Sequence, residues 1–70
     1  MEKNYEERNR IGSEIAAIRK AKGMTQQDLA VMVGMERAHI ARIELGKYSV
    51  GLDTLAAIAA AFGMKIAFIE

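Results

Sequence analysis

Four isolated glycines, Gly23, Gly34, Gly46 and Gly63, each close an apolar-patterned segment, and no proline occurs anywhere in the chain. Glycine accepts the left-handed conformation that commonly ends a helix. This punctuation therefore predicts short helices joined by tight turns. The first segment carries Ile11, Ile15 and Ile18 at i, i+4 and i+7, one face of a helix. Asn4 is placed to cap it, with Glu7 three residues on as its partner. Gly23 is placed to end it, with Met24 closing the cap by apolar contact. Gly12 inside this helix costs up to about 1 kcal/mol relative to alanine, and points to a close approach by another backbone.

Thr25 starts a second helix with a box-like pattern, "TQQD", in which Asp28 is the partner. Leu29, Ala30 and Val33 form its apolar face, and Gly34 stops it. A third helix runs from about Glu36 to Leu45 with Ile40 and Ile43 inward, and Gly46 stops it. A fourth runs from roughly Leu52 to Phe62, its inner face Leu52, Leu55, Ile58, Ala59 and Phe62. The tail differs in kind. Met64, Ile66 and Phe68 alternate with Lys65, Ala67 and Ile69, the period of a strand over 64–69. Nothing else in the chain alternates this way, so the strand has no internal partner, and an unpaired edge invites another chain. The alternative is a strand folded back on its own core, leaving a monomer.

Seventy residues form one small domain, 1–70, near the lower limit for independent folding. Without cysteine there is neither a disulfide nor a thiolate metal site, so stability must come from helix packing or a second chain. The start, "MEKNYEERNR", is charged and does not resemble a signal peptide, and no stretch approaches the roughly 20 apolar residues of a bilayer span. No membrane partner and a cytoplasmic location are the expectation. A formal net charge of +1 neither demands nor excludes nucleic acid. Acidic residues crowd the start (Glu2, Glu6, Glu7, Glu14), while Lys20, Lys22, Arg37, Arg42 and Lys47 outnumber Asp28, Glu36 and Glu44 in the middle.

The unit from Gly23 to Gly46, "GMTQQDLAVMVGMERAHIARIELG", resembles the lambda-repressor-like (XRE) family of helix-turn-helix DNA-binding domains. The features that carry it are the Gly-Met-Thr-Gln start, Leu29-Ala30, the turn glycine Gly34, Ile40, Ile43, and Glu44 two residues before Gly46. "RIGSEIAAIRKAKG" and "LDTLAAIAAAFG" are similar to the family's first and fourth helices, so the resemblance spans about residues 10–63. It implies an all-α, compact four-helix domain whose third helix enters the DNA major groove, followed here by a short C-terminal strand paired with a second chain.

With Ile40 and Ile43 inward, Arg37, Ala38, Ala41 and Arg42 lie on or near the opposite side, and the arginines are expected to contact bases, with Ala38 beside them. His39 is either at the groove's edge or plain surface; one histidine without cysteines makes a poor metal site. The resemblance implies that Gln26 bonds a phosphate from the start of the second helix, where free N–H groups and the dipole favour an anion. Thr25 shares that position. Lys47 and Tyr48 can reach phosphates, although Tyr48 packing on the loop is an equal reading. The resemblance also implies a largely buried ion pair between Arg19 and Glu44.

There are departures from the family pattern. Glu36 is a weak cap, Val31 and Met32 stand where polar residues are frequent and either pack on the N-terminal segment or a partner chain or are scattered exposed apolars, and Leu45 replaces a polar residue that often helps bind the DNA backbone. Some antitoxin-type relatives pair a similar tail across a two-fold axis. This predicts a homodimer joined through Met64, Ile66 and Phe68. The leading function is a dimeric repressor reading a near-palindromic operator in double-stranded DNA. The alternative is an antitoxin that binds a toxin protein and regulates its own operon. Nothing in the chain suggests an enzyme, a cofactor, a metal or a small-molecule ligand.

Overall fold

Asn4 opens α1 (Tyr5–Ala21) by accepting a 3.1 Å hydrogen bond from the Glu7 amide on its side-chain oxygen. The structure, a computed structural model, describes residues 3–70; Glu2, part of the acidic start, lies outside them. At the far end of α1 the Met24 amide donates to the Arg19 carbonyl at 3.0 Å, across Gly23 at φ 70°. Thr25 caps α2 (Gln26–Val33) with the reciprocal box: Thr25 Oγ1 accepts from the Asp28 amide at 2.9 Å and Asp28 Oδ2 from the Thr25 amide at 2.8 Å. Asp28 is thereby held below the ordinary carboxylate range, chiefly by the Thr25 N–H.

Gly34, at φ 70°, turns the chain into α3 (Arg37–Glu44) while the Met35 amide donates back to Ala30 at 2.9 Å. A residue with a Cβ would be strained there; Gly23, Gly46 and Gly63 close α1, α3 and α4 by the same device. Glu36 caps α3 with its backbone alone, as its weak capping character predicts. The loop after Gly46 leads to α4 (Leu52–Ala61).

Helix α3 packs on α1 and α2, and α4 packs on α2. Between them Ile15, Leu29, Ala30, Ile40, Ile43, Ile58 and Phe62 form the buried core, with Ile11, Ile18, Val33 and Leu55 against its edge. Two expected inner-face positions do not join the core: Ala59 is half-buried outside it, and Leu52 is not buried at all. Leu52 is 71% exposed. It has the helical spacing of Leu55 and Ile58, but the stripe ends one turn short of it. The chain reaches α4 across the surface, and of residues 47–51 only Val50 is half-buried. Val31 and Met32 are exposed and take no part in the core.

Gly12 is where α1 meets the end of α3. A Cβ at that position would stand 2.7 Å from the Glu44 carbonyl oxygen and closer still to that of Ile43. Both obstacles are backbone, so neither can rotate away. Gly12→Ala is expected to destabilise by about 1–3 kcal/mol through overpacking, despite alanine's higher helix propensity. A melting temperature at or above the parent's would contradict this packing.

The alternating tail forms no strand in the single chain, and no strand occurs among the described residues. A strand requires an edge to pair with, and helices offer none. The tail instead runs beside α1 and α4, where Met64 and Ile66 border a cleft of about 290 Å³ with Ile11, Ile15, Leu55 and Phe62. It covers this cleft incompletely: Met64 and Ile66 remain 45% exposed and Phe68 fully so. No helix among the described residues is long and apolar enough to cross a membrane.

Candidate nucleic-acid interface

With Ile40 and Ile43 buried, α3 turns Arg37, Ala38, Arg42 and its C-cap Leu45 to solvent, with Ala41 half-buried among them. The Arg42 side chain has no hydrogen-bond or ion-pair partner among the described residues, and it is exposed. Arg37 has one weak contact, donating from a guanidinium nitrogen to Gln26 Oε1 at 3.4 Å.

That contact ends a polar chain reaching the interior. Arg19 donates from Nε to Glu44 Oε2 at 2.7 Å and from Nη2 to Oε1 at 3.1 Å, with both side chains under a tenth exposed. Such two-point pairing is the strong form of the carboxylate–guanidinium bond. Arg19 also donates to the Met24 carbonyl at 2.9 Å. Glu44 Oε1 accepts a further bond from Gln26 Nε2 at 3.0 Å. Burial alone would push the Glu44 carboxyl up, but the hydrogen bonds from Arg19 and Gln26 outweigh it and hold the group below its ordinary value. The same bond, donated to Glu44, raises the Arg19 guanidinium against its own burial. Both members are therefore charged at neutral pH, and the pair pins the end of α3 to α1.

Gln26 thus has two structural partners rather than a free side chain. One amide hydrogen goes to Glu44 and one remains. The backbone N–H groups of Gln26 and Gln27, in the first turn of α2, have no intrahelical acceptor. Asp28 already occupies the Thr25 N–H. The start of α2 therefore keeps donors for an anion beside Arg37.

His39 and Tyr48 meet each other. Their ring centroids are 4.4 Å apart at 68°, an edge-to-face pair. Tyr48 packs against His39 on α3 while staying 44% exposed, and His39 is half-buried on the flank of α3. Lys47 is exposed just past α3, its amide bonded to the Arg42 carbonyl at 3.0 Å. Gln26 and Glu44 are 18 residues apart and Gln26 and Arg37 are 11 apart. No local pattern signals either contact. Leu45 was missing from the expected outward side of α3, although its spacing, i+4 from Ala41 and i+8 from Arg37, carries that signal.

A family model described as "Helix-turn-helix" matches residues 15–69. Over 59 residues the chain is 39% identical to the "Immunity repressor protein" of Bacillus phage phi105, a match covering 84% of this chain and 41% of the phage protein. The chain thus spans less than half the length of that curated relative. Among solved structures it is similar to the restriction-modification controller protein C.AhdI from Aeromonas hydrophila, with TM-score 0.85, 26% identity, and 91% of this chain and 93% of that one covered. It is also similar to the clp gene regulator ClgR from Corynebacterium glutamicum, with TM-score 0.82, 25% identity, and 93% and 67% covered.

Proposed function

We propose a DNA-reading role from one premise: the chain belongs to the helix-turn-helix family. The role is that of a sequence-specific transcriptional regulator, a repressor that binds double-stranded DNA through α3 in the major groove. The observation that carries it is the outward face of α3. Two exposed arginines flank small side chains there, and Gln26 and the buried Arg19–Glu44 pair hold that face in place. A groove about 12 Å wide admits one helix of this kind. Arg37 and Arg42 then meet different base pairs, each able to donate two bonds to a guanine, with Ala38 between them allowing close approach. His39, set edge-to-face with Tyr48, stands at the groove's edge. Gln26, Thr25, Lys47 and Tyr48 face the phosphates.

The tail supplies the second half of the reading. The domain presents one reading helix, and two copies related by a two-fold axis would present a pair about 34 Å apart, one turn of DNA. Met64, Ile66 and Phe68 are the surface that a second copy would cover. Antiparallel pairing of two tails with Ile66 opposite Ile66 brings Met64 across from Phe68, so every cross-strand pair on that face is apolar. The operator is then near-palindromic.

Selection of bound duplexes from a random pool tests the role. Arg37→Ala and Arg42→Ala should each relax preference at a separate base pair, by about 1–3 kcal/mol. Gln26→Ala should weaken every sequence through its lost phosphate contact. Because Gln26 also holds Arg37, it should additionally blur the preference that Arg37→Ala removes. Affinity should fall steeply with salt as phosphate contacts release counterions. Absence of any complex with duplex DNA at low ionic strength would refute the role.

A further inference from the structure

Leu45 is 64% exposed, yet around the helix axis it stands near the middle of the α3 face that carries Arg37 and Arg42. At about 100° per residue, Arg37, Ala41 and Leu45 lie near 0°, 40° and 80° around the helix, with Ala38 and Arg42 near 100° and 140°. The buried Ile43 and Ile40 lie near 240° and 300°, so Leu45 points almost directly away from the core. Its backbone is still helical, with φ −82° and ψ −3°, so the side chain continues the stripe rather than leaving it. A large apolar group here, flanked by Arg42 and Lys47, does nothing for the core.

The major groove displays one apolar group, the C5-methyl of thymine. Resting on the DNA-reading role proposed above, we infer that Leu45 is a specificity-determining residue that reads a thymine methyl. Ala38 and Ala41 are short and let the helix approach; Leu45 has the reach to cover a methyl beyond them. It lies about 4.5 Å along the axis from Arg42, at 1.5 Å per residue. The thymine is therefore about one base-pair step beyond the pair that Arg42 reads.

Uracil differs from thymine only by this methyl, which makes the test specific. The duplex selected by the parent protein is remade with each thymine singly replaced by uracil. The parent should lose about fourfold in affinity at one position per half-site, the effect of one buried methyl group. Leu45→Ala should bind the thymine and uracil duplexes equally at that position, while keeping the guanine preferences of Arg37 and Arg42 and the parent's melting temperature. Discrimination between thymine and uracil that is unchanged in Leu45→Ala at every position would overturn the inference. So would a selected half-site without thymine. A variant that alters sedimentation but not the uracil series would instead make Leu45 a contact between copies and overturn it equally. If the parent selects no duplex at all, the DNA-reading role itself has failed and this inference falls with it. That result is distinct because it appears before any uracil is introduced.

Discussion

Glu44→Ala is expected to lower stability by about 3–5 kcal/mol, because it leaves the Arg19 guanidinium buried, charged and without its carboxylate. Arginine cannot escape by losing its proton, and the Met24 carbonyl is the one remaining acceptor among its contacts. A domain of 70 residues has roughly 4–10 kcal/mol in total, so the loss is a large share. At about 4–8 °C per kcal/mol, the melting temperature should drop by at least about 12 °C. DNA binding should disappear with the fold and return on cooling, which separates this residue from those that touch the ligand. The same group sets an acid limit. Its folded value lies below the ordinary 4.5, so the stability it contributes is intact above that value and drains away as pH falls through the folded one. Melting temperature should therefore fall less steeply with acid in Glu44→Ala than in the parent, with Asp28 common to both. An unchanged melting temperature at neutral pH would show that the pair does not hold α3.

Deletion of residues 64–70 is expected to convert the protein to a monomer and to weaken binding to a palindromic operator by about 10²–10⁴-fold. That is the avidity lost when two half-sites are no longer bound by one linked pair of readers. Binding to a single half-site should change little, because Arg37, Arg42 and Gln26 are far along the chain from the cut and the core residues through Phe62 remain. Phe68→Lys, which adds charge to a side chain that touches nothing in the single chain, should reproduce the loss without removing the tail. Sedimentation decides the matter: a truncated chain that is still a dimer places the interface elsewhere, and a parent that is a monomer removes the tail's proposed role.

Most of the helical framework could be read from neighbours a few residues apart. Asn4 with Glu7, Thr25 with Asp28, and the glycines closing each segment all act within one turn, so their residue types are sufficient to announce them. The isoleucines of α1 and α3 were likewise evident from spacing, because a helix repeats its face every three or four residues. Leu52 shows where spacing stops being enough: periodicity marks a face but not where the neighbouring element ends. The Arg19–Glu44 pair was reached through family resemblance alone, and nothing in the local pattern predicted that Gln26 would join it.

The chain's residues by themselves determined four short helices, their caps and the cationic outer side of α3, since each depends on backbone conformations and side chains within a turn of one another. Only the tertiary structure decided that Gln26 links the buried carboxylate to Arg37, that His39 is turned against Tyr48, and that the alternating tail finds no edge to pair with. Those outcomes depend on groups 9 to 18 positions apart, or on a partner outside the chain, and such distances are set by how the helices pack rather than by any one helix.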